Sequence, residues 1–449
     1  MASSSPPQPD PAHRDVFASV RAQAREIFLH ALAECSIDRA FQRNVDCQGT
    51  VLRVCEDLYG LTNYASVLVV AFGKAAHPMA SALLQAAGVG LGGFIVDIAD
   101  PPHQLEQFRY FRGGHPLPNA ESVQAARAIL RALHSQSENS LVIFLISGGG
   151  SSLVEQPLDD EITLDDLAQT YDALVLSGAP ITEINAIRKH LSAVKGGRMA
   201  RAAARSQQVS IMISDVPENA LDALASGATM PDSSTVTDCY AIAKKYDFAS
   251  KFPLPMRELF AKQLLEETPK PGDPEFARSR WWPILSSTSA QKAAAEKATL
   301  AGFAVDVDNS CDDWDYARAA DYLLARLRKL RSGVSRACLI SGGEVTVKVD
   351  RSGGIGGRNQ QFALYCATKI VGENITVLSA GTDGVDGNSP AAGAVADGTM
   401  LKRAGERGLN VQRALENFNA HAIFEPLGDA IVTGPTGNNV RDLRILLAW

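Results

Sequence analysis

Cysteine is scarce and scattered: seven residues in 449, with no CxxC pair and no regular spacing. An odd, unpatterned set excludes a disulfide scaffold and predicts reduced thiols in a cytoplasmic protein. Long apolar runs are missing as well. None reaches the ~18–20 residues that a membrane span needs, so no membrane partner is expected. Basic surplus is absent, since 43 Lys and Arg stand against 50 Asp and Glu, a net charge of -7. That balance argues against a nucleic-acid partner. Several catalytic signatures are lacking too: a Walker Gly-Lys-Ser/Thr, a G-x-S-x-G elbow, HExxH, and any Cys/His cluster suited to zinc. No repeat of solenoid length occurs.

What remains is an ordinary globular composition, 46% hydrophobic and 21% charged, long enough for two or three domains. The opening "MASSSPPQPDPAHRD" is rich in Ser and Pro and reads as a disordered lead-in over residues 1–15. It lacks the basic-then-apolar order of a secretory signal. The amphipathic stretch after it carries two arginines, but Asp10, Asp15 and Glu26 argue against a mitochondrial presequence.

Apolar strand-like runs then alternate with helical patterns, the signature of an α/β fold. "SVLVVAFGKAAHPMASALLQAAG" reads strand, turn, helix, and "NSLVIFLISGGG" is a strand ending in three glycines. Asn119 is the expected N-cap of a helix with Glu121 in its first turn, and a further helix is predicted at "TLDDLAQTYDAL". The Pro-rich, charged segment Phe252 to Pro274 marks the expected boundary between a first domain over 16–252 and a second over 275–449. The last strand is left free to return to the first domain.

Six loops are rich in glycine and charge: "FGKAA", "GGHPLPN", "SGGGSS", "SDVPENALDALASG", "GGIGGRNQQ" and "GTDGVDG". Taken singly, each reads as a turn. Together they offer backbone that anions can approach, fixed cations and carboxylates able to hold a metal, which is what phosphoryl transfer requires. The glycines of "SGGGSS", Ser147 to Ser152, are expected to cradle an anion, with Glu155, Asp159, Asp160 and Glu161 placed to repel one. Lys74 and Arg358 each open a helix, where the dipole disfavours positive charge, so both are candidate catalytic cations. Asp215, Glu344, Asp383 and Asp386 all follow apolar strands, and Asp386 in "DGVDGN" looks like a plain turn residue. His115 and His190 are read as structural histidines.

The chain resembles the glycerate 2-kinases that are related to neither hexokinase-like nor ribokinase-like sugar kinases. The resemblance rests on "GKAA", "GGHPLPN", "LISGGGSSL", "INAIRKHLSAVKGGRMA", "ISDV", "LASG", "ISGGEVTV", "GGRNQ", "SAGTDGVDG", "AAGAV" and "TGPTGNNV", in that order from about Val16 onward. It implies an α/β fold of two domains, with largely parallel or mixed sheets flanked by helices and the active site in the interdomain cleft. It implies ATP-dependent phosphorylation of D-glycerate at its 2-hydroxyl, with Mg²⁺, by a monomer or homodimer. By the same resemblance, Lys74, Arg358 and Asp215 are catalytic. Ser147, Gly148, Gly149, Gly150, Ser151, Lys195, Gly343 and Asn359 are the candidates for binding substrate or nucleotide, and Asp215, Glu344 and Asp383 the candidates for holding the metal.

The sequence departs from the pattern at four places. Glu218-Asn219 stands near an expected Gly-Asp pair, Ala228 replaces a proline, Gln361 replaces a carboxylate, and "TGPTGNNV" replaces "TGPTGTNV". These changes leave open an altered metal or acceptor, or a catalytically silent binding or sensor homologue. The third alternative is an oxidoreductase acting on hydroxypyruvate, a label family members have often carried. Against it, the one GxGxxG spacing, "GVGLGG" at Gly88 to Gly93, follows a helix and precedes a strand, the reverse of a dinucleotide turn.

Overall fold

The computed structural model describes residues 11–88, 90–159, 161–349 and 353–449. The chain divides into two compact units: an inserted unit, Ile37–Ser286, and a split unit built from the chain before Ile37 together with Ser287–Trp449.

The inserted unit opens with the helix Ile37–Asn44 and an antiparallel meander of β1 (Val45–Gln48), β2 (Val51–Val54) and β3 (Asp57–Gly60). Six parallel strands follow: β4 (Ser66–Phe72), β5 (Gly92–Asp97), β6 (Phe108–Arg112), β7 (Ser140–Ile146), β8 (Gln207–Ile213) and β9 (Ser279–Leu285), ordered β6-β5-β4-β7-β8-β9. Every residue of β7 is buried, as expected of a central parallel strand covered on both faces. Helix Ala120–His134 covers part of the sheet. Asn119 caps it, accepting from Ser122 N at 2.9 Å, while Ser122 Oγ accepts from Asn119 N at 3.2 Å. From β4 the chain runs outward through β5 and β6, then resumes at β7 on the other side of β4. The strand order therefore reverses between β4 and β7, the place where open α/β sheets bind ligands at their carboxyl ends.

In the split unit, helices Pro11–Glu34 and Ser287–Leu300 precede β10 (Ala304–Val307). There follow helix Tyr316–Arg331, β11 (Ala337–Gly342), helix Arg358–Lys369, β12 (Ile375–Gly381), β13 (Gly393–Asp397), β14 (Ala430–Ile431) and β15 (Asp442–Ala448). The sheet order is β10-β11-β15-β12-β13-β14, with only β10 and β11 parallel. Residues of β15 alternate between two cores. Leu443, Ile445 and Leu447 pack with Val20, Ile27 and Phe28 of the first helix, whereas Leu446 and Ala448 pack with Leu323, Leu327 and Phe362. Because β15 is antiparallel to β11 and β12, its beginning lies at the edge where those two strands end.

The division differs from the expected one in three ways. The chain crosses between units at 36/37 and 286/287, not at Phe252 to Pro274. That Pro-rich segment is packed into the inserted unit: Phe252, Phe260 and Leu265 are buried, and Asp232 N donates to Pro269 O at 2.9 Å. Strand β15 stays in the split unit, sandwiched between β11 and β12. Of the expected lead-in, residues 1–10 lie outside the described residues, and helix already begins at Pro11. No helix of the described residues is long and apolar enough to cross a membrane.

Candidate functional site

At the switch point of the inserted unit, Lys74 follows β4 and the Ser147–Ser151 loop follows β7. The two loops are stitched together: Lys74 N donates to Gly148 O at 3.0 Å, and Ala75 N to Ser147 Oγ at 3.0 Å. Asp215, two residues beyond β8, lies across Gly148 so closely that a Cβ there would be 2.0 Å from Asp215 Oδ2. Gly149 has φ +81°, and a Cβ on it would lie 3.1 Å from Lys74 Cγ and Cε and 3.3 Å from His115 Cδ2. The structure thus gathers Lys74, Gly148, Gly149 and Asp215 around one loop. It adds His115, which is exposed there rather than structural. Partial burial, and then the charge of Lys74, pull the His115 pKa below its ordinary value. His190, by contrast, is buried and donates through Nδ1 to Ala186 O at 2.8 Å, as a structural histidine should.

Gly149 caps a four-residue helix, Gly150–Leu153, whose Ser151 Oγ lies 2.8 Å from Ser226 Oγ. Ala225 and Ser226 are consecutive left-handed residues, φ +48° and +55°. For non-glycine residues that conformation costs on the order of 1–2 kcal/mol each. Lys195 is placed elsewhere. It is buried and ion-paired with Glu155, which also accepts from Tyr171 OH at 2.6 Å and Ser192 Oγ at 2.5 Å. Glu155 is therefore withdrawn from the loop surface, where its charge was expected to repel an anion.

A second constellation lies at the edge of the split unit where β11 and β12 end and β15 begins. Arg358, the first residue of its helix, donates from Nε to Asp442 Oδ2 at 2.6 Å and from Nη2 to Asp442 Oδ1 at 3.1 Å. Its Nη2 is also 2.8 Å from Glu344 Oε1. Burial opposes this charge, but the hydrogen bonds and charge of Asp442, with Glu344, outweigh it and raise the pKa. Asp386 is no plain turn residue. Almost fully buried, it accepts from Asn359 N at 3.0 Å and Gln360 N at 2.8 Å, closing the helix start. Burial pushes its pKa up to about 6, with Asp442's charge adding to the rise and the two amides drawing it back. Asn359 is buried behind it, accepting from Ser379 Oγ at 2.6 Å. Gly343, φ +86°, packs on Asp312.

Glu344, Arg358, Asp383 and Asp386 line one cavity of about 740 Å³, with Gln361 and Phe418. Gln361 donates from Nε2 to Leu415 O at 3.0 Å, a bond that the carboxylate expected at this position could not make. No three His, Cys, Asp or Glu side chains among the described residues cluster as metal ligands. Glu344 is committed to Arg358, and Asp383 Oδ1 accepts from Val385 N at 3.1 Å. Among the described residues, the chain's own groups do not form a metal cage. Sequence reasoning missed His115 and Asp386. The quoted "GGHPLPN" and the second aspartate of "GTDGVDG" carried the signal, but only the fold shows which histidine is exposed and which aspartate is buried.

Residues 23–261 match the family described as Domain of unknown function (DUF4147), and residues 337–442 match the MOFRL family. The chain is 35% identical to D-glycerate 2-kinase from Thermotoga maritima over 85% of its own length and 91% of that protein's. A relative from Agrobacterium vitis that carries the name hydroxypyruvate reductase is also 35% identical, covering 85% of this chain and 86% of its own. The crystal structure of glycerate kinase from Thermotoga maritima aligns with a TM-score of 0.83 and 32% identity, over 96% of this chain and 100% of that one. With both domain families in order and this likeness along most of its length, the chain belongs to the glycerate 2-kinase family.

Proposed function

We propose that the protein transfers the γ-phosphoryl group of ATP to the 2-hydroxyl of D-glycerate, giving 2-phosphoglycerate and ADP. The observation that carries this reading is Lys74, exposed beside the glycines of the Ser147–Ser151 loop at the point where the strand order reverses. Lys74 is a mobile point charge for the transferring phosphoryl group, and Arg358 a fixed one whose direction Asp442 and Glu344 set. Asp215 takes the proton of the attacking hydroxyl as the oxygen–phosphorus bond forms and the bond to the ADP oxygen breaks. The nucleotide would enter as its Mg²⁺ complex. That ion would neutralise charge on the phosphates, and Asp215, Glu344 and Asp383 are the carboxylates that would hold it. The seven cysteines form no disulfide among the described residues, which suits the cytoplasm as its location.

The test is a coupled assay with D-glycerate, MgATP and enolase, without phosphoglycerate mutase. Product should appear directly. Signal only after adding the mutase would place the phosphate on the 3-hydroxyl and overturn the regiochemistry. With hydroxypyruvate and NADH or NADPH, the expected result is no oxidation of the dinucleotide.

A further inference from the structure

Arg444 heads the largest fully buried side chains, at 0% exposure. Unlike Arg358 and Arg441, it forms no ion pair among the described residues. Its Nη2 donates to two successive carbonyls, Gly342 O at 2.6 Å and Gly343 O at 3.2 Å, while Nε and Nη1 have no hydrogen-bond partner among the described residues. The guanidinium sits 5.7 Å from the centre of the Phe362 ring. Burying an unpaired cation is costly, and an unbranched apolar side chain would occupy much the same space without that cost. Stability alone therefore does not account for an arginine here.

The contacts it makes suggest another role. In a trans peptide the carbonyl and the following N–H point in opposite directions. Holding the Gly342 and Gly343 carbonyls inward turns the amides of Gly343 and Glu344 the other way. The Glu344 amide meets Asp312 Oδ1 at 2.9 Å, and Arg441 clamps that carboxylate at 2.6 and 2.7 Å. Asp442 and Arg444, two apart on β15, stand on the same face of the strand. One grips Arg358; the other grips the turn that carries Glu344, and Glu344 closes the circuit on Arg358.

We infer that Arg444 is a positioning residue for phosphoryl transfer: it fixes the Gly342–Glu344 turn so that Glu344 and Arg358 hold their mutual geometry. This rests on the kinase reading above. The test compares Arg444→Met, Arg444→Lys and, as a control at another buried polar site, Thr376→Val. In Arg444→Met, kcat should fall at least ~10-fold while KM for D-glycerate and ATP changes less than ~3-fold, and lysine should recover part of the loss. Independently of activity, hydrogen exchange at the amides of Gly343 and Glu344 should accelerate at least ~10-fold, with β12 and β13 unchanged. Thr376→Val should alter neither readout. Unchanged kcat and exchange in folded Arg444→Met would overturn the inference, as would faster exchange spread over the whole sheet, the mark of a purely structural role. If the methionine variant does not fold, Arg444→Lys decides: wild-type kcat with wild-type local exchange overturns the proposal. If wild-type protein fails to phosphorylate glycerate, the kinase reading falls, and local exchange still decides whether Arg444 sets the turn.

Discussion

A guanidinium gripped by two carboxylates is a different object from the same charge on a flexible stem. Arg358 holds Asp442 through two nitrogens and Glu344 through one, so its direction is fixed before any ligand arrives. Arg358→Lys keeps the charge and loses the fork; kcat should drop at least ~10-fold, and Lys74→Ala should be at least as severe. Turnover near wild type in both folded variants would return these residues to ordinary helix starts. Their misfit with the helix dipole was legible in the sequence. The burial of Asp386 was not, because a DG turn looks the same whether it faces water or closes a helix. Its folded pKa of about 6 lies above the ~3.9 of an unfolded aspartate, so the native state binds that proton more tightly than the unfolded chain. The Asp386 contribution is most favourable below pH ~4 and is lost as pH rises to ~6. In urea melts, the stability gap between wild type and Asp386→Asn should move against wild type across that window and stay constant above it. Gln361 illustrates the opposite error, in which a departure from the family pattern suggests lost chemistry. Its amide donates to Leu415 O, so Gln361→Glu, restoring the expected carboxylate, should destabilise by about 1–3 kcal/mol in the same melts.

At the scale of elements, the strands were legible because apolar, β-branched runs such as "LVIFLI" admit few alternatives, and the cap at Asn119 because an acidic first turn with Glu121 follows it. The loop between β7 and the helix Leu164–Leu176 was legible as a place of close approach, but the sequence could not say what approaches. Gly148 meets the Asp215 carboxylate; Gly149 meets the flexible stem of Lys74 and the edge of His115. The two glycines should therefore respond differently to a methyl group. Gly148→Ala must displace Asp215 and should lower kcat by at least ~10-fold. Gly149→Ala forces a left-handed alanine, costing about 1–2 kcal/mol in thermal or urea melts, and should weaken the anionic ligand that sits there. Separate titrations of ATP and D-glycerate identify that ligand. If Gly149→Ala loses more turnover than Gly148→Ala, Asp215 is not the group the loop presents.

For the whole molecule, composition misplaced the boundary because proline and charge mark linkers only when nothing packs on them. Phe248, Phe252 and Phe260 bring that segment into a core. The first helix was equally opaque, since its partner strands lie hundreds of residues away. Val20, Ile27 and Phe28 are buried against the split unit's sheet, each contributing roughly 1.5–3 kcal/mol. Residues 37–286 expressed alone should melt cooperatively, while 287–449 alone should not until residues 11–36 are supplied as a peptide or fusion. Cooperative melting of 287–449 without them would show the helix to be dispensable.

The position of β15 in its sheet sets a timetable for biosynthesis. This strand is central, and it is translated after every other strand it joins. At ~5–20 residues per second, the nascent first helix waits roughly 20–80 s for the strand whose Leu443, Ile445 and Leu447 will cover it. Before that interval ends the inserted unit is complete and has emerged from the ribosome, while an amphipathic helix stays tethered to it with the part of its apolar stripe that β15 covers still exposed. The same strand delivers Asp442 and Arg444, so the gripping of Arg358 and the closing of the sheet are one event, and both come last.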